Sequence, residues 1–319
     1  MTSFKIGFPF AVAILIAPFS AAAQQSISPT IDGILSVSYG QSDLDGTDLE
    51  REAFILDSTI SLGNNVSIGV NADHVKNSVD ESFTDFDVHF NRFQIEPTYH
   101  FGNNFYVGGF IQSASVSAIS VDFDASGLFA GFDGEKWSAE AYAGRSDMNL
   151  GTFFGGARTT DSSLHGLSVS YSASENLEIS AHVSQTNLTD IFGGGQHDLK
   201  SVAAFYKIGN GFSIHGALEK FESGMMAERT KTRAIGVGYN FAEAGISVPG
   251  TFMLEAERSE FGSFLETDTI IASWVVPFGK QTAKPLDSVA RSSSGDIRTA
   301  YVAYLSRNIL LGLEGLFID

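Results

Sequence analysis

Tyr99-His-Phe-Gly-Asn-Asn-Phe-Tyr-Val-Gly108 decides how the chain is read. An alternating run arrives, Gly-Asn-Asn reverses it, and a second alternating run leaves. That is a β-hairpin with a tight turn. Ser61-Leu-Gly-Asn-Asn-Val-Ser-Ile-Gly69 and Lys207-Ile-Gly-Asn-Gly-Phe-Ser-Ile-His215 repeat the design. Ser172-Ala-Ser-Glu-Asn-Leu-Glu-Ile-Ser180 is a looser copy, and Asp133-Gly-Glu-Lys136 is another tight turn. Gly63, Gly102, Gly134, Ser174 and Gly209 lie 39, 32, 40 and 35 residues apart. Such an interval holds two strands of about ten residues, one tight turn and one longer loop. Short turns on one edge and long loops on the other are therefore predicted.

Working outward, the alternation continues from Ile31 to Phe278. Ile31, Leu35, Val37 and Tyr39 share one face of the first strand, and Leu177, Ile179, Ala181 and Val183 one face of the ninth. Phe101, Phe105, Trp137, Tyr171, Phe212, Tyr239 and Trp274 sit beside the tight turns, as an aromatic belt at a membrane interface would. The opposite faces are rich in Ser, Thr, Gly, Asp, Glu and His rather than the Val and Leu of a soluble core. A soluble sandwich and an inside-out barrel share this periodicity. Strand number and turn polarity favour the barrel, since closure leaves no edge. The polar stretches 42–50, 76–87, 146–161, 185–198 and 222–230 are read as loops.

The chain opens with Lys5, an apolar run from Ile6 to Phe19 and Ala21-Ala-Ala23, the pattern of a signal peptide over residues 1–23. Residues 24–319 hold 18 basic and 37 acidic residues, a net charge of −19. That excludes nucleic acid as a natural partner. There is no cysteine, hence no disulfide and no thiolate metal site.

These features together resemble a Gram-negative outer-membrane porin: signal peptide, no Cys, acidic charge, Gly-Asn-Asn turns and amphipathic strands. The resemblance implies an all-β, transmembrane, antiparallel up-and-down barrel over residues 24–279, with short periplasmic turns and longer extracellular loops. It implies outer-membrane lipid and lipopolysaccharide around the barrel, small hydrophilic solutes or cations within it, and compatibility with a homo-oligomer. No cofactor, metal or enzymatic activity is implied. In sixteen-strand members the third long loop narrows the pore. The corresponding connection here, near 113–118, is short, and 146–161 is the better candidate on length.

Residues 280–319 admit three readings. Fourteen strands ending at Phe278, the count that strand length and the placement of the linker favour, leave a tail marked by Pro285 and Ser292-Ser-Ser294. Sixteen strands would end at Phe317. A helix over 297–316 is the third.

By alternation the lumen face carries Asp32, Asp57, Asp73, Glu96, Asp122, Asp124, Glu140, Glu178, Glu219, Glu255 and Glu257, opposed by Arg92 and Lys207. This imbalance predicts a cation-leaning pore. His182 and His215 fall on the same face two strands apart, where hydrated polar side chains compete with a metal or acid–base pair. Asp43, Asp45 and Asp48 alternate in a loop but lack the closing Glu of a calcium loop, so a solvated acidic loop is expected. No Gly-x-Ser-x-Gly elbow occurs, so beside a passive channel the alternatives are a blocked-lumen structural or surface-recognition barrel and, with no spacing to support it, a barrel hydrolase.

Overall fold

The computed structural model describes residues 29–307, apart from 45–46, 64, 82–83, 103, 118–119, 151–156, 189–194, 225–227, 263–264, 282, 294, 296 and 301. The signal peptide, Asp45, the Gly151–Gly156 segment and a closing strand at Phe317 lie outside the described residues. The strands are β1 (Thr30–Leu44), β2 (Thr47–Ser61), β3 (Val66–Glu81), β4 (Thr84–Phe101), β5 (Phe105–Val116), β6 (Val121–Asp133) and β7 (Trp137–Leu150). They continue as β8 (Ala157–Ser174), β9 (Leu177–Leu188), β10 (Gly195–Gly209), β11 (Phe212–Ser223), β12 (Glu228–Asn240), β13 (Thr251–Phe261) and β14 (Leu265–Phe278). Each pairs antiparallel with its sequence neighbours, and β1 pairs with β14 from Gly33↔Phe278 to Leu44↔Thr267. The result is a closed barrel of fourteen strands.

The tight turns fall where Gly-Asn-Asn and its relatives stand, and backbone geometry explains the residue choice. Gly102, Gly209 and Asn210 have positive φ, which glycine and asparagine tolerate best. Outside this edge the aromatics form a near-continuous belt. Phe105 lies 5.2 Å from Phe132, Trp137 stacks on Tyr171 at 4.1 Å, and Phe241 meets Trp274 at 5.2 Å.

The opposite edge differs from expectation. The stretches 42–50, 76–87, 146–161, 185–198 and 222–230 are largely strand, with connections as short as 45–46 and 82–83. A spanning strand needs about 9–11 residues, yet β4 and β8 have 18. The barrel therefore continues beyond the lipid, and there the pattern inverts. Near the loop edge the outward side chains are polar: Asp122, Asp124, Lys200, Arg233, Arg258 and Asp268 are exposed. The inward ones are apolar: Val75, Val88, Phe90, Val116, Val121, Phe123 and Met148 are buried in one cluster. Water outside and a packed interior reverse the preference that lipid outside and water inside impose.

The interior is packed by the chain's own C-terminal segment. After Gly279 it turns inward. A short helix α1 (Val289–Ser292) rests on Ala203, Ala217 and Ala234 of β10, β11 and β12. Backbone at 302–307 is helical, and Ile297, Ala300, Val302, Ala303, Tyr304 and Leu305 complete the apolar cluster. Tyr304 stacks on Phe221 at 4.3 Å. The described part of this segment forms no further strand, so it is neither a fifteenth nor a sixteenth.

Candidate functional site

The site is the lumen, where wall and tail meet through charge. Arg298 stands between Glu96 of β4 and Glu140 of β7. Its Nε donates to Glu96 Oε1 at 2.9 Å, and Nη1 pairs with Glu140. Arg291 Nη1 donates to Asp73 Oδ1 at 3.0 Å, while Arg92 Nε donates to Asp73 Oδ2 at 2.7 Å. Arg307 pairs with Glu219, and Lys284 Nζ reaches Glu178 Oε1 at 2.8 Å. One pair runs the other way: Arg51 of β2 bonds Asp287, with Nη2 2.5 Å from Oδ1. Burial, the largest single effect, would raise the Asp287 carboxyl, but Arg51, the Ser38 hydroxyl and Arg291 together hold it below the usual carboxylate range.

Further hydrogen bonds add to these. Glu255 Oε2 accepts from Ser288 Oγ at 2.6 Å and lies 2.6 Å from His215 Nε2. Tyr142 Oη donates to the Arg298 carbonyl at 2.7 Å, and Ser180 and Ser293 share a bond of 2.6 Å. Gly295 has a φ of 79°, and a Cβ there would overlap Ser168 Oγ, so only glycine lets the tail lie this close to the wall.

The residues expected in the lumen separate into two groups. Arg92, Glu96, Glu140, Glu178, His182, His215, Glu219 and Glu255 point inward and are bonded to the wall or the tail. Asp32 accepts the Lys280 amide at 2.7 Å; Asp57 lines a cavity of about 170 Å³ with Glu178 and Lys284. Glu257 lines one of about 40 Å³ with Arg51, Asp287 and Arg307. Asp122 and Asp124 are a correction. They share the outer face with Ile111 and Leu128, because β6 has passed beyond the lipid band and buries Val121 and Phe123 instead.

His182 and His215 do not meet; β10 lies between their strands. His182 Nδ1 is 2.8 Å from Ser168 Oγ and its ring stacks on Tyr142. Among the described residues no group of three or more His, Asp or Glu is arranged to hold a metal ion. The sequence reading missed Arg51 and the tail's Arg291, Arg298 and Arg307. For the tail residues the signal was charge: five basic against two acidic side chains over 280–307, on an otherwise acidic chain.

At the turn edge the lumen opens into a polar cavity of about 410 Å³, lined in part by Glu96, His100, Tyr106, Phe129 and Glu140. Among the described residues the tail narrows the lumen; the middle of the loop at 146–161 lies outside them.

No protein-family model and no curated protein sequence matches the chain. Solved structures do match. The anion-selective porin of Comamonas acidovorans is 13% identical over 79% of this chain and 99% of its own, with a TM-score of 0.52. The CymD monoaromatic hydrocarbon channel is 11% identical over 79% and 89%, with a TM-score of 0.49. An OmpT of Vibrio cholerae lacking its loop L8 is 13% identical over 78% and 99%, with a TM-score of 0.48. At such identities the likeness is one of fold: the chain has the closed antiparallel barrel of outer-membrane porins.

Proposed function

We propose that the chain is a porin-like channel of a Gram-negative outer membrane, passing small hydrophilic solutes passively and closed at rest by its own C-terminal segment. The observation that carries this reading is the bonding of the tail. Arg291, Arg298, Arg307 and Lys284 each meet a carboxylate rooted in a strand. Such contacts can be exchanged for water and counterions when the tail leaves. The wall beneath is then acidic, and a low-dielectric barrel focuses its field, favouring cations over anions. The acyl chains and lipopolysaccharide of that membrane would face the exposed apolar belt. A homo-oligomer would join barrels through the same belt.

A second reading is a permanently filled barrel serving structure or surface recognition. The apolar cluster around Ala300 to Leu305 favours it, because that part of the tail is packed as a core. Planar-bilayer recording of the full-length chain separates the two: the channel should show openings, and a permanently filled barrel none. A chain ending at Gly279 keeps all fourteen strands and should conduct steadily, with K⁺ preferred over Cl⁻ in a salt gradient. A truncated barrel that inserts and carries no current would refute the channel.

A further inference from the structure

We infer that Phe110, Phe129, Tyr142, Glu96 and Glu140 form a receptor for guanidinium cations on solutes, which Arg298 occupies as an internal stand-in. This deepens the channel reading and rests on it for the route by which solutes arrive.

The geometry is that of a cage. Arg298 Cζ lies 4.4 Å from the centroid of Phe129, 5.2 Å from Phe110 and 5.3 Å from Tyr142. Phe110 and Tyr142 stand edge to face at 87°. Glu96 and Glu140 take the in-plane N–H groups. Ring faces around a plane edged by carboxylates suit a flat, delocalised, weakly hydrated cation. A compact ammonium would use the charge and little of the stacking.

The cage belongs to the wall. Its members come from four consecutive strands, β4 to β7. Each ring lies over a glycine of an adjoining strand: Phe110 over Gly127, Phe129 over Gly108 and Tyr142 over Gly166, where any Cβ would overlap the ring. The neighbouring strands thus hold the rings in place whether or not the tail is present. The site is also reachable, since the cavity of about 410 Å³ at the turn edge ends on Glu96, Phe129 and Glu140. A cation entering from that edge meets the same groups that now hold Arg298.

The test uses the full-length chain carrying Arg298→Ala, which empties the cage and leaves the rest of the tail. N-propylguanidinium and N-propylammonium are titrated by calorimetry in detergent micelles. The expected result is saturable binding of propylguanidinium about tenfold tighter than propylammonium, lost when Glu140→Gln is added. Absence of saturable binding, equal affinity for the two cations, or indifference to Glu140→Gln would overturn the inference. If Arg298→Ala does not assemble, hydrogen exchange in the wild-type chain decides. Propylguanidinium should speed exchange at 297–303 by competing with Arg298, and propylammonium should not; no difference between them overturns the cage. The channel reading fails separately: binding to the cage with no current through the truncated barrel would remove the channel and leave the receptor.

Discussion

Asp73 illustrates what holds the tail at the level of single residues. It is buried and shared by Arg92 from the wall and Arg291 from the tail. Asp73→Asn leaves two buried guanidinium groups without their common counterion, and removing one partner of a buried pair costs about 3–5 kcal/mol. A loss of that order is expected in denaturant unfolding in micelles. The exposed pair Arg258–Asp268, of similar length, is the contrast: Asp268→Asn should leave unfolding unchanged, because water and salt screen it. Asp287 adds a pH dependence. Its carboxyl is held below the ordinary value in the docked tail, so its contribution is complete above the free value of about 4 and fades as the pH falls below it. Protease access to 283–307 should therefore be constant from pH 5 to 7 and rise in stronger acid; access that rises with increasing pH would refute this. The inward direction of Glu96, Glu140, His182 and His215 was legible from alternation alone. The partners of these side chains were not, since they lie more than a hundred residues away for Glu96 and Glu140, in a segment whose path no local pattern encodes.

Individual strands obey two opposite rules. Half of each strand is apolar outside and polar inside, and the half near the loop edge is the reverse. Alternation fixes two faces but not which is outside, and one assignment carried along all of β6 turns Asp122 and Asp124 inward. The same assignment places Phe129 in lipid, although it faces the cage. The signal that was available is length: 18-residue strands exceed what the hydrocarbon needs, so part of each must obey the rules of a soluble protein. Ile111, 69% exposed at mid-strand, and Asp124, on the same outer surface nearer the loops, test where the band ends. Ile111→Arg should cost about 2–4 kcal/mol, as a charge near the midplane does, and reduce the heat-modifiable, inserted fraction. Asp124→Arg should insert normally. Equal damage from both would show that the lipid band covers the whole strand.

For the molecule as a whole, the spacing of the turns announces the barrel but leaves fourteen and sixteen strands open; the barrel closes with fourteen, at Phe278. The tail was recognisable as a separate segment by Pro285 and the serine run. That it returns into the lumen was not legible, because the attraction is collective. The chain carries a formal net charge of −18, and the tail brings cations into an acidic barrel. The central claim is that this segment is a removable closure. The chain has no cysteine, so a pair introduced as Ser180→Cys and Ser293→Cys, where the two Oγ atoms are 2.6 Å apart, gives a single cross-link between wall and tail. Current through this full-length protein in a planar bilayer, oxidised and then reduced, is the most direct measurement. The oxidised form should carry no steady current. Reduction should release openings that prefer K⁺ over Cl⁻, with a preference that weakens in 1 M salt as the screening length falls to about 3 Å. Equal current before and after reduction, or none in either state, would contradict the account.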